Sequence, residues 1–152
     1  MNLRRKLRLD SVLAIYFIDS NIFFYAKILD REYGKACAKI VRGIAEGKVR
    51  AVTSVLVIIE LVNALRKYGL DSEARNVVDG TFSLDIPIYE IDPSDVRIAM
   101  DVFDEFRISP YDCVHAVIMK RAGAINIISA DKDFDKIDWI KRLDPKNYGA
   151  NL

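Results

Sequence analysis

The sequence predicts an α/β sandwich around a mainly parallel sheet of four or five strands, and three observations carry that expectation. Short β-branched runs alternate with segments of helical periodicity along the chain. The first run, Val12 to Ile18, is continuously apolar, as a strand covered on both faces must be. Helix-opening residues, Ser54, Asp92-Pro93 and Ser109-Pro110, recur between the runs.

Taken in order, Val12 to Ile18 is the first strand, followed by helices over Asn21 to Leu29 and Glu32 to Glu46. The second helix shows Ala36, Ile40, Val41 and Ile44 on one face and Gly47 beyond its end. Val49 to Thr53 is a second strand, and Ser54 caps a helix running to Lys67, closed by Tyr68-Gly69. A shorter helix covers 71–79. Ile86 to Ile91 alternates as a strand, Asp92-Pro93 opens a helix to about Phe106, and Ser109-Pro110 opens another that ends near Gly123. Ile125 to Ser129 is a fourth, buried strand, and Trp139 to Leu143 is a fifth at an edge.

The chain of 152 residues, 51% hydrophobic and 30% charged, has the composition of one globular domain spanning 1–152. It contains no low-complexity tract, repeat or linker. Arg4, Arg5, Lys6 and Arg8 make residues 1–12 either a basic arm or the product of a start codon placed too early. They imitate a signal peptide, but the apolar run behind them is short and meets Asp19 with no small-residue cleavage site. No run is long enough to span a bilayer, since Ser54 to Leu65 carries Glu60 and Asn63. Cys37 and Cys113 lack metal or disulfide spacing, so a reduced, cytoplasmic protein is expected.

Four acids stand out once the topology is drawn. In a parallel sheet ligands bind beyond the carboxyl ends of the strands. Asp19 follows strand one, Asp131 follows strand four, Asp112 lies in a helix's first turn, and Glu60 lies one or two turns into the helix after strand two. Each has a bland alternative. Asp19 could cap a helix, Asp131 could form a turn, and Ser109-Pro-Tyr-Asp112 fits a capping box. Asp133 and Asp135 read as solvated. Glu60 resists such an account: Leu56, Val57, Asn63 and Ala64 surround it, and no basic residue stands where an intrahelical ion pair could form. A buried carboxylate without a partner is costly. Hard oxygen donors in one crevice suit Mg²⁺ or Mn²⁺, and the usual chemistry of such a site is phosphoryl transfer or hydrolysis. The single histidine, His115, excludes a metal-free nuclease built on paired histidines; it reads as structural, or as a hydrogen-bond partner to the site.

Four stretches in this order, FIDSNIFFYA, SVLVIIELVNAL, SPYDCVHAVIMKRAG and IISADKDFDKI, resemble the PIN domain family, and within it the VapC-like toxin ribonucleases. They cover most of the chain outside about 70–105. The resemblance implies a three-layer α/β/α sandwich that hydrolyses phosphodiester bonds in single-stranded RNA with Mg²⁺ or Mn²⁺. It makes Asp19, Glu60, Asp112 and Asp131 the catalytic quartet, Asp19 and Asp112 the most direct metal ligands, and Asn21 and Ser129 their supports. It further implies a homodimer and inhibition by a small antitoxin. RNA-processing and decay factors share the quartet and are the alternative within the family.

Net charge is +1, so if the quartet contributes −4 the remainder carries +5. Arg4, Arg5, Lys67, Lys132 and Lys136 are candidates for a basic rim. A catalytically silent PIN-like binding module is a further alternative, against which the retention of all four acids argues. A phosphoaspartate phosphatase would place an acid at Asn21, and a receiver domain would want an acidic pair after strand one.

Overall fold

Short strands, buried almost from end to end, set the frame. The computed structural model describes residues 14–152. Strands β1 (Tyr16–Ile18) and β2 (Ala51–Ser54) are buried at every position, which their apolar, β-branched composition permits. β3 (Ile88–Tyr89), β4 (Asn126–Ile128) and β5 (Lys141–Leu143) complete a five-stranded sheet in the order β3-β2-β1-β4-β5. Every pairing is parallel. Tyr16, Phe17 and Ile18 lie opposite Asn126, Ile127 and Ile128, so β1 and β4 end level with one another.

Among the described residues, seven α-helices connect and cover these strands: α1 (Ser20–Ile28), α2 (Gly34–Ala45), α3 (Val55–Lys67), α4 (Ala74–Phe82), α5 (Pro93–Phe106), α6 (Pro110–Arg121) and α7 (Pro145–Ala150). From β1 the chain steps outward to β2 and β3, then returns past β1 to β4. Right-handed crossovers therefore place α1 to α4 on one face and α5 and α6 on the other, giving the three-layer α/β/α sandwich. The helix contacts agree: α1 packs on α2 and α3, α3 on α4, and α5 on α6. The core fills both interlayer spaces with Phe17, Ile18, Ile22, Leu61, Leu65, Ile118, Met119, Ile127 and Ile128.

The reversal of direction falls between β1 and β4, so the topological switch point lies at their carboxyl ends. The caps there behave as their sequences predict. Ser54 Oγ accepts from Val57 N at 3.3 Å, and Thr53 Oγ1 donates to Ile18 O at 3.0 Å, which satisfies two buried hydroxyls. Asp92 and Asp95 form the capping box of α5.

Several boundaries differ from the sequence reading. Ala14 and Ile15 pack against the core without belonging to β1, and Val12 lies outside the described residues along with the basic segment 1–12. The helix expected over 71–79 is a 3₁₀ turn, Asp71–Glu73, running into α4. Only Ile88 and Tyr89 of the run from Ile86 to Ile91 join the sheet. Helix α7 was not anticipated, although Asp144 caps it by accepting from Lys146 N at 2.9 Å. It docks so closely on α2 that a Cβ on Gly149 would lie 2.9 Å from Ala36 Cα. Among the described residues no helix is long and apolar enough to cross a membrane.

Candidate metal centre

Asp19 is the first residue after β1, and its backbone N–H donates to Ile128 O, at the end of β4, at 3.3 Å. The residue is 4% exposed, and its carboxylate is held from several sides. Oδ1 accepts from Ser20 N at 2.7 Å, while Oδ2 accepts from Asn21 Nδ2 at 2.9 Å and from Ser129 Oγ at 2.5 Å. The capping interpretation is thus correct but incomplete, because one oxygen serves α1 while the other faces the switch point.

Ser129 joins the two strand ends. Besides donating to Asp19, its Oγ accepts from Asp131 N at 3.0 Å and Asn21 Nδ2 at 3.1 Å. Asn21 Oδ1 in turn accepts from Ala130 N at 3.2 Å. The chain leaving β4 is therefore tied to the start of α1, and the Asp131 backbone is held by the same hydroxyl that bonds to Asp19. Asp131 also accepts from Asp133 N at 2.9 Å and caps the 3₁₀ turn Lys132–Lys136, so its turn role is real as well.

Asp112 is the acid for which the capping explanation fails. Ser109 caps α6 by accepting from Tyr111 N, and no described residue donates a hydrogen bond to the Asp112 carboxylate. It is nonetheless buried, as is every residue from there to Met119. Burial foremost, then the charge of Asp19 and those of Asp131 and Glu60, push its pKa up to about 7, with His115 opposing. The Asp19 carboxyl is raised too, by burial first and by Glu60, against the pull of His115 and the hydrogen bonds from Ser129 and Ser20.

Glu60 has a protein partner that its own helix could not supply. His115, one turn beyond Asp112 on α6, brings Nε2 to 3.0 Å from Glu60 Oε2. Burial alone would favour the neutral imidazole. The bond to Glu60 and the charges of Asp19, Glu60 and Asp112 outweigh it and raise the His115 pKa.

The carboxylates fall into two adjoining groups whose ligand atoms lie within 4.8 Å of one another: Asp19 with Glu60 and His115, and Asp112 with Asp131 and Asp133. All four sequence-predicted acids take part, and their mutual influence on the Asp112 proton places them in one electrostatic centre. Asp133 is the residue that sequence reading missed by assigning it to solvent. Its distance of two positions from Asp131, at a strand end, was the available signal. Lys136, a predicted rim residue, pairs with Asp133 at 2.9 Å, while Lys67 and Lys132 are exposed. Arg4 and Arg5 lie outside the described residues. The donor set fits a hard divalent cation: carboxylate oxygens predominate, and they are crowded enough that one holds a proton near neutrality unless positive charge arrives.

Comparison with known proteins follows the same line. The family model described as PIN domain matches residues 16–140. No curated protein sequence matches the chain. Among solved structures, the Mycobacterium tuberculosis toxin VapC20, which cleaves the sarcin-ricin loop, is similar with a TM-score of 0.69 at 15% identity, covering 84% of this chain and 97% of its own. VapBC2 from Rickettsia felis, bound to a promoter DNA fragment, gives 0.64 at 16% identity over 85% and 97%. DNA-bound VapBC from Salmonella typhimurium gives 0.64 at 17% identity over 88% and 99%. These likenesses are of fold.

Proposed function

The chain belongs to the PIN domain family, and from that premise we propose that it is a metal-dependent endoribonuclease acting on single-stranded RNA, the toxin of a VapBC-like toxin–antitoxin pair. One observation carries the reading: Asp112 is buried among like charges with no described hydrogen-bond donor, an arrangement that a cation would relieve. Asp19, Glu60, Asp112 and Asp131 are assigned as the catalytic acids, with Asp19 and Asp112 as the direct ligands of Mg²⁺ or Mn²⁺. A divalent ion held there would supply Lewis-acid stabilisation of charge on the attacked phosphate and activation of water.

The chain's own residues do the positioning. Asn21 and Ser129 fix the Asp19 carboxylate, and Ser129 and the Asp133 backbone fix Asp131. Asp112 is placed by the first turn of a buried helix, and the scissile phosphate would sit beyond the ends of β1 and β4.

The toxin reading draws support from the VapBC complexes among the similar folds, which also suggest a small antitoxin as partner. Exposed Val96 and Met100, one turn apart on α5, would suit a second copy in a homodimer, a state that light scattering reads directly. The activity is tested by incubating the purified chain with single-stranded RNA in Mg²⁺ or Mn²⁺. Cleavage that Asp19→Asn abolishes is expected. No cleavage in either metal, or cleavage undiminished by that substitution, overturns the assignment.

A further inference from the structure

We propose that His115 is a positioning residue, whose Nε2–H donates to Glu60 and holds that carboxylate in line with Asp19. The inference rests on the metal-centre reading above and concerns a residue outside the acidic quartet.

The geometry leaves the imidazole little else to do. Its side chain is fully buried, its ring lies 5.5 Å from that of Phe17, and its Nδ1 is buried with no hydrogen-bond partner among the described residues. Nε2 to Glu60 Oε2, at 3.0 Å, is its one polar contact among them. Whatever the ring contributes through hydrogen bonding, it contributes to Glu60. No described residue bonds to the other Glu60 oxygen, Oε1, so the hydrogen bond consumes one lone-pair side and leaves the other available.

Glu60 needs such a guide. It lies at the margin of the buried face of α3, between exposed Ile59 and buried Leu61, and its side chain is 23% exposed. A glutamate there has several rotamers, and only some bring it within 4.8 Å of Asp19. The hydrogen bond selects among them from a different helix. Because His115 and Asp112 are one turn apart on α6, the same rigid element seats Asp112 and aims Glu60.

The test separates donor reach from packing. In His115→Gln the side-chain amide nitrogen falls near the position of Nε2 and can still donate; in His115→Asn it ends near Nδ1 and cannot. Mn²⁺ affinity by calorimetry is expected to fall about 10–100-fold in the asparagine variant and to stay within about threefold of wild type in the glutamine variant, with cleavage following the same order. In a Glu60→Ala background, adding His115→Asn should change Mn²⁺ affinity no further. Melting of the metal-free proteins checks the fold. Where His115→Asn does not fold, His115→Phe, which keeps a ring against Phe17 and removes the donor, decides in its place. Normal wild-type binding with an asparagine variant that binds as well, a glutamine variant no better than asparagine, or a loss that persists without Glu60 overturns this proposal alone. Failure of the wild type to bind Mn²⁺ overturns the metal-centre reading and this proposal with it.

Discussion

Replacing Asp112 with asparagine should stabilise the metal-free protein, and increasingly so as pH rises. The fold raises the Asp112 pKa from 3.8 to about 7, chiefly by burial and then by the charge of Asp19. Folding therefore tightens its hold on the proton. The stabilising contribution is complete below the unfolded value and disappears as pH rises through the folded one. At about 1.4 kcal/mol per tenfold change in proton affinity, the rise from 3.8 to about 7 sets a ceiling of about 4 kcal/mol on the cost of ionised Asp112. For a chain of this size each kcal/mol moves Tm by about 2–4 °C, so Asp112→Asn should melt up to roughly 8–16 °C above wild type. The assay is calorimetric melting of chelator-treated proteins at about pH 8.5 and about pH 4.5, the gap narrowing to about a quarter at the lower pH. Saturating Mn²⁺ should narrow the gap at high pH, since a ligand at a hundred times its Kd adds about 2.7 kcal/mol to wild type alone. A variant less stable than wild type at high pH, or a gap the same at both pH values, would refute the reasoning.

Ser129→Ala removes the hydroxyl that joins Asp19 to the Asp131 backbone; a loss of about 1–3 kcal/mol in denaturant unfolding and a fall in RNA cleavage are expected together. Arg121→Ala strips buried Asp95 of the guanidinium 2.7 Å away, and urea melts should show about 1–3 kcal/mol lost with Mn²⁺ affinity unchanged. Gly149→Ala drives a methyl against the α2 backbone at Ala36, so thermal melts should show about 1–3 kcal/mol of destabilisation, again sparing metal binding.

Most of the fold was legible because its signals are local. The β-branched runs, Ser54 and the two Asx/Ser-Pro openings place β1 to β4 and α3, α5 and α6 within a few residues. Strand ends were overextended for a physical reason: apolar residues such as Ala14, Ile86 and Ile91 are recruited by the core without joining a ladder. Helix α7 begins Asp144-Pro145, the same opening as Asp92-Pro93. Its brevity hid it, since six residues show no periodicity.

At the site, the strand-end acids followed from topology alone, whereas the partner of Glu60 could not. His115 lies 55 positions away on a helix of the opposite face, and only the three-dimensional arrangement around the sheet decides that their side chains meet. The Asp112 capping box illustrates the opposite error, a good local pattern that the structure leaves unused while a true capping box forms at Asp92 and Asp95.

The central claim, that carboxylates brought together at the switch point hold the catalytic cation, is tested most directly by anomalous diffraction from crystals soaked in Mn²⁺. A manganese peak is expected at bonding distance, about 2.0–2.3 Å, from carboxylate oxygens of Asp19 and Asp112. A saturating soak with no peak between those two residues, or manganese only at acids elsewhere on the surface, would contradict it.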